Sequence, residues 1–158
     1  MNHFPIFHRL IATSLGVGYF PYGPGTMGAL LGIVVWGLVA LCTDFATLQF
    51  ILCGLIAMFT VLGVWSASVS ERFWGEDPSR VVIDETVGQW ICLLAVPVSL
   101  HWGFVLGAFV LFRFFDIVKP FGVRRMEQLR GGYGIMADDI LAGIYGALVL
   151  VVVRVILG

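Results

Sequence analysis

The sequence predicts an all-α fold: a polytopic membrane helical bundle of about five membrane helices, forming a single domain over residues 1–158. Three observations carry this. The chain is 59% hydrophobic and only 12% charged, with a mean hydropathy of +0.99, whereas soluble domains carry about a quarter charged residues. Its apolar residues fall into five runs of helical length separated by Gly, Pro and polar clusters. Those clusters are unequal, since alternate turns are dense in charge and the others hold little.

Taken in order, residues 1–25 read as a short head closing on Gly18–Gly25, where two prolines and three glycines in eight residues exclude a regular helix. Thr26 stands where an N-cap belongs, ahead of a first membrane helix over Met27–Cys42. At 1.5 Å per residue that run is about 24 Å long, against a hydrocarbon core of roughly 30 Å. Thr43–Thr47 reads as a polar turn, and Leu48–Val69 as a second, uncharged helix. The hydrophilic loop Ser70–Arg80 leads to a third helix over Val81–Leu100, which Pro97 kinks or shortens. Ser99–Trp102 forms the next turn. A fourth helix, Gly103–Lys119, stops at Pro120, and a basic loop, Phe121–Tyr133, precedes a fifth, Ile135–Leu157.

Composition also excludes. A net charge of −1, with no basic tail and no aromatic–basic stripe, offers nothing to nucleic acid, and no obligatory protein partner is inferred. Cys42, Cys53 and Cys92 sit inside apolar runs, are odd in number and lack metal spacing, so they read as buried reduced thiols. His3, His8 and Arg9 precede the apolar piece Leu10–Val17, but no small-residue cleavage site follows, so no signal peptide is read.

With five crossings and a cytoplasmic N-terminus, Arg9, Arg72, Arg80, Arg113, Lys119, Arg124, Arg125 and Arg130 fall on the cytoplasmic side and only Arg154 on the other. That bias obeys the positive-inside rule. The same assignment gathers Gly18–Thr26, Glu71–Glu85 and Arg113–Asp139 on one face. An enzyme working at one leaflet needs such one-sidedness, whereas an ion or proton transporter needs carboxylates at the midplane.

Within these clusters, Asp138-Asp139 follows Gly131–Gly134 at the expected start of the fifth helix. Adjacent helical residues point about 100° apart, so both reach one cation only where the backbone is still adaptable. Simple complementation of the helix dipole is the plainer account. Asp84-Glu85 repeats the design at the third helix, with Gly88 one turn on and Arg80 as an ordinary salt-bridge partner. Ala142, Gly143 and Gly146 mark a close helix contact. Arg113, Asp116 and Lys119 share one stripe of the fourth helix, either as a self-neutralising ladder or as an anion site beside a metal ligand. Pro24-Gly25-Thr26 offers helix N–H groups to an anion, a weak signal taken alone, and a plain N-cap is the default account. Oxygen ligands without His or Cys suit Mg²⁺.

No Cys-x₅-Arg, Asp-x-Asp or Ser-His-Asp arrangement occurs. His3 and His8 in the head and His101 on the opposite face cannot form a phosphohistidine site. What remains is metal-assisted chemistry on a phosphate.

Four motifs in order are together specific: Pro24–Gly28 (PGTMG), Val82–Gly88 (VIDETVG), Phe112–Pro120 (FRFFDIVKP) and Gly131–Asp139 (GGYGIMADD). Over nearly the whole chain the sequence resembles the phosphatidylglycerophosphatase A family, departing at Phe121-Gly122, where a proline-containing continuation is expected. The resemblance implies a Mg²⁺-dependent, multi-pass lipid phosphatase of the bacterial inner membrane, its site facing the cytoplasm. Its substrate would be phosphatidylglycerophosphate, converted to phosphatidylglycerol in phospholipid biosynthesis. It implies Asp84, Glu85, Asp116, Asp138 and Asp139 as catalytic residues, with metal on Glu85, Asp116, Asp138 and Asp139. Arg113, Lys119 and Thr26 would bind the substrate phosphate. The alternatives are the small ion or proton transporter and a CDP-alcohol phosphatidyltransferase, whose Asp-Gly and Ala-Arg elements do not follow Asp138-Asp139.

Overall fold

A computed structural model describes residues 4–97, 102–120 and 122–157, and among them every regular element is helical. The head holds a helix α1, Ile6–Ala12, and a single 3₁₀ turn, Val17–Tyr19. Helix α2 spans Pro24–Cys42, α3 Phe45–Trp74, α4 Ile83–Leu93, α5 Trp102–Val118, α6 Val123–Met126 and α7 Gly132–Leu157.

Proline and glycine set the start of α2. Gly23 takes the left-handed conformation (φ 60°), and Pro24 occupies the first helical position, where its missing N–H costs nothing. Thr26 therefore lies inside the first turn and is not the N-cap. Helix α3 begins at Phe45, earlier than expected, because the Asp44 carboxylate accepts hydrogen bonds from the Thr47 amide (3.1 Å) and hydroxyl (2.6 Å). It also runs to Trp74, absorbing Ser70-Glu71-Arg72. Phe4 stacks on Phe73 and packs edge-on to Trp74, while His8 on α1 hydrogen-bonds Ser66 (3.2 Å). Tertiary cover thus carries the helix through a polar stretch.

Helix α4 is shorter than predicted. It ends at Leu93, whose carbonyl the Pro97 ring would crowd and leave without an amide partner. At 11 residues it is roughly 16 Å long and cannot span. Helix α5 has 17 described residues, at the lower limit for a span. Among the described residues three helices, α2, α3 and α7, are long and apolar enough to cross a membrane, and not clearly the five expected. The turn expected at Ser99–Trp102 and the departure at Phe121 lie outside the described residues, apart from Trp102, which begins α5.

Helix α4 is the hub, packed against α2, α3, α5 and α7 and buried along most of its length. Two of its side chains are tied to α2 carbonyls: Thr86 Oγ1 donates to Gly28 O and Trp90 Nε1 to Gly32 O, each at 3.0 Å. The crossing with α7 is backbone-close. A Cβ on Gly143 would stand 3.0 Å from the carbonyl carbon of Gly88, and one on Gly88 would stand 2.6 Å from Asp139 O. The small-residue face predicted on the fifth helix is therefore a close packing face.

Outward faces are apolar, including Val34, Leu38, Leu41, Phe50, Val61, Leu148 and Val152. This corrects the reading of the cysteines. Cys92 is buried, its thiol donating to Ala108 O at 3.3 Å, but Cys42 and Cys53 are exposed. In a membrane bundle the outside is as hydrophobic as the core, so hydropathy does not report burial.

Candidate active site

The start of α2, the end of α3, the start of α4, the end of α5 and the start of α7 converge at one end of the bundle. There a cavity of about 210 Å³ is lined by Asp84, Glu85, Asp116, Lys119, Asp138 and Asp139, with Asp77 and Ser79 from the α3–α4 loop. Every acidic residue singled out in the sequence meets there. Thr26 is not among the described lining residues, although its neighbour Gly25 abuts the site. A Cβ on Gly25 would stand 3.0 Å from Glu85 Cδ and 3.4 Å from Arg113 Nη1. The first turn of α2 therefore presents its positive dipole end to the Glu85 carboxylate.

Asp84 and Glu85 lie in the first turn of α4, and Asp139 faces them from α7. One carboxylate oxygen of each lies within 4.8 Å of the others. Asp84 Oδ1 and Glu85 Oε2 are buried acceptors with no hydrogen-bond partner among the described residues. Buried, unpaired oxygens in a trio of carboxylates are costly unless a cation neutralises them. The donor set, all oxygen and without His or Cys, fits a hard divalent ion such as Mg²⁺.

The adjacent aspartates behave differently from the prediction. Helix α7 begins at Gly132, so Asp138-Asp139 sit two turns inside it on regular backbone and neither caps it. Their side chains diverge as helical geometry requires. Asp139 joins Asp84 and Glu85, while Asp138 accepts a 2.6 Å hydrogen bond from Lys119 Nζ.

Arg113 and Asp116 form the i, i+3 pair expected on the fourth helix, at 2.5 Å. Lys119 does not continue that stripe. Helix α5 has ended at Val118, and Lys119 turns with φ 49° to reach Asp138 and Glu127, both at 2.6 Å. Burial alone would lower the Lys119 ammonium, but the hydrogen bonds it donates to Asp138 and Glu127 outweigh that and hold the group above its ordinary value. Lys119 is therefore a fixed cation. Arg80 is not the partner of Asp84; its guanidinium lies 5.7 Å from the Tyr19 ring centre and 5.8 Å from that of Trp74.

Two residues of this region were missed in the sequence. Asp77 lines the cavity with φ 43° and reads in sequence as one more loop acid. Glu127 reads as a lone acid in a basic loop, with no motif to mark it. Beyond the cavity lies an open basin of about 420 Å³ lined by Glu71, Glu76, Glu127 and Arg130, which shares Asp77, Ile135 and Asp138 with it. The N-terminus of α7 is held beside this basin by α3, through Gly132 N–H donating to Ser68 Oγ at 2.9 Å.

Three membrane-length helices with carboxylates and paired cations gathered at one end make a membrane-associated helical bundle with an acidic, cation-type site. The family model for phosphatidylglycerophosphatase A matches residues 10–154, and the chain belongs to that family. A Bacteroides thetaiotaomicron protein provisionally named a phosphatidylinositol-3-phosphatase is 49% identical over 150 residues, covering 94% of each chain. Proteins named phosphatidylglycerophosphatase A from Haemophilus influenzae and Escherichia coli are 39% and 37% identical, covering 92% and 90% of this chain and 88% and 80% of theirs. No solved structure matches the chain significantly.

Proposed function

We propose that the chain hydrolyses phosphatidylglycerophosphate to phosphatidylglycerol and phosphate in phospholipid biosynthesis, using Mg²⁺, at the cytoplasmic face of the inner membrane. The observation that carries this reading is the trio Asp84, Glu85 and Asp139, their oxygens within 4.8 Å, opening into a cavity that also holds Lys119. Asp84, Glu85 and Asp139 would hold the ion, with Asp116 and Asp138 beside them. Bound there, Mg²⁺ supplies Lewis-acid polarisation of a phosphoryl oxygen and lowers the pKa of a bound water.

The chain's own residues do the rest. Arg113 and Lys119 bind the phosphate and neutralise charge that grows on it as the P–O bond to the lipid alcohol breaks. Asp116 and Asp138 orient those two cations, and the α2 N-terminus at Gly25–Thr26 adds a positive end to the same wall. A site carboxylate takes the proton of the attacking water. The basic residues Arg124, Arg125 and Arg130 favour an anionic leaflet. Collection of these groups at one bundle end argues against a transporter.

A second reading has its own support: the relative named for phosphatidylinositol 3-phosphate is more similar than the two named for phosphatidylglycerophosphate. Both substrates are phosphomonoesters on a phospholipid polyol, and the same trio and cations serve either. Phosphate release from each lipid in mixed micelles, after EDTA and again with added Mg²⁺, decides. Turnover of phosphatidylglycerophosphate restored by Mg²⁺ is expected. Preference for the inositol lipid selects the second reading, release from neither sinks both, and full activity after chelation removes the metal.

A further inference from the structure

We propose that Glu127 is a positioning residue that competes with the substrate's phosphate for Lys119, so that a Lys119–Glu127 ion pair exchanges for a Lys119–phosphate pair in each turnover. The inference rests on the phosphatase reading above and adds to it a residue outside the motifs.

Lys119 Nζ has three protons to donate, and two are committed at 2.6 Å, to Asp138 Oδ2 and Glu127 Oε1. The two partners are not equivalent. The Asp138 side chain is 8% exposed and projects from the interior of α7, whereas that of Glu127 is 39% exposed and follows the four-residue helix α6. Exposed ion pairs contribute little, so the Glu127 contact is the one a competing anion displaces.

Placement sets up the competition. Lys119 lines the inner cavity, Glu127 lines the outer basin, and Asp138 and Asp77 line both. The Lys119–Glu127 pair therefore stands where basin meets cavity. A phosphate that takes a hydrogen bond from Lys119 meets the Glu127 carboxylate already on the same ammonium, and two anions do not share it without repulsion. The backbone permits the carboxylate to withdraw. The segment carrying it is bracketed by Gly122 (φ 95°) and Gly131 (φ 65°), both in the left-handed region that glycine enters freely. Asp138, with its own 2.6 Å hydrogen bond, keeps Lys119 in place when Glu127 leaves it.

The test uses the full chain with Glu127→Gln and Glu127→Ala, phosphatidylglycerophosphate in mixed micelles, and inorganic phosphate as both inhibitor and calorimetric ligand. KM and the phosphate inhibition constant should both fall about two- to fivefold, the scale of an exposed ion pair, while kcat changes less than twofold. Adding Lys119→Met to Glu127→Gln should erase the gain. If Glu127 only anchors its loop, KM rises and phosphate binds no tighter in either variant, which overturns the proposal. Should the wild type release phosphate from no lipid, the phosphatase reading fails by itself. Calorimetry then still decides: tighter phosphate binding in Glu127→Gln supports the exchange, and equal or weaker binding overturns it.

Discussion

Asp139→Asn should stabilise the metal-free protein while disabling the enzyme. The Asp139 carboxylate lies within 4.8 Å of those of Asp84 and Glu85. Unit charges at that separation repel by roughly 3 kcal/mol at an effective dielectric of about 20. The substitution removes two such pairs and keeps the side chain's shape. Arg113 and bound protons already offset part of this repulsion, so a net gain of about 1–3 kcal/mol is expected. For a chain of this size that raises Tm by roughly 2–10 °C. Mg²⁺ should reverse the order. A ligand at a hundred times its Kd stabilises by about 2.7 kcal/mol, and the wild type gains this while the variant, short of one ligand, does not. Thermal melting of detergent-solubilised protein, with EDTA and then with Mg²⁺, reads both signs. Turnover should fall on the order of 10²-fold or more, since charge stabilisation by a metal is worth several kcal/mol. An Asp139→Asn protein that melts below wild type in EDTA, keeps the full Mg²⁺ shift and turns over normally would refute the shared cation site.

Two further outcomes are expected. Cysteines introduced at Ser79 and Gln128 should react with impermeant reagents only from the cytoplasmic side, because both lie at the site end of the bundle; labelling of either from outside overturns the orientation. Gly143→Ala should cost about 1–3 kcal/mol by forcing α7 off the Gly88 backbone, and should lower turnover as well by parting Asp139 from Asp84 and Glu85. A variant that melts and turns over like wild type would show that the α4–α7 crossing does not set the site.

Much of this protein is written in local chemistry. Hydropathy places the five helical runs, and charge clustering brings Asp84, Glu85, Asp116, Lys119, Asp138 and Asp139 to one end, because carboxylates and ammonium groups in such a chain are tolerable only where water, a partner or a cation receives them. Glycine spacing at Gly88, Gly143 and Gly146 foretells close helix contact, since only small residues let backbones meet. Beyond the Arg113–Asp116 pair, which helix spacing gives, the partner of each charge was not legible. Whether Asp138 and Asp139 face one ion depends on where α7 begins, and packing on α3 through Ser68 sets that at Gly132, three residues earlier than the apolar run suggests. Lys119 leaves its stripe because α5 ends one residue sooner than the proline alone requires. Glu127 and Asp77 come to the site from loops whose sequences carry no periodicity at all. Helix length was also decided in three dimensions, as α1 carries α3 through a polar stretch and Pro97 stops α4 short of a span. Sequence determined which groups must gather and at which end; the tertiary structure decided which oxygen faces which cation, because that depends on helix phase and loop path, and neither leaves a local trace.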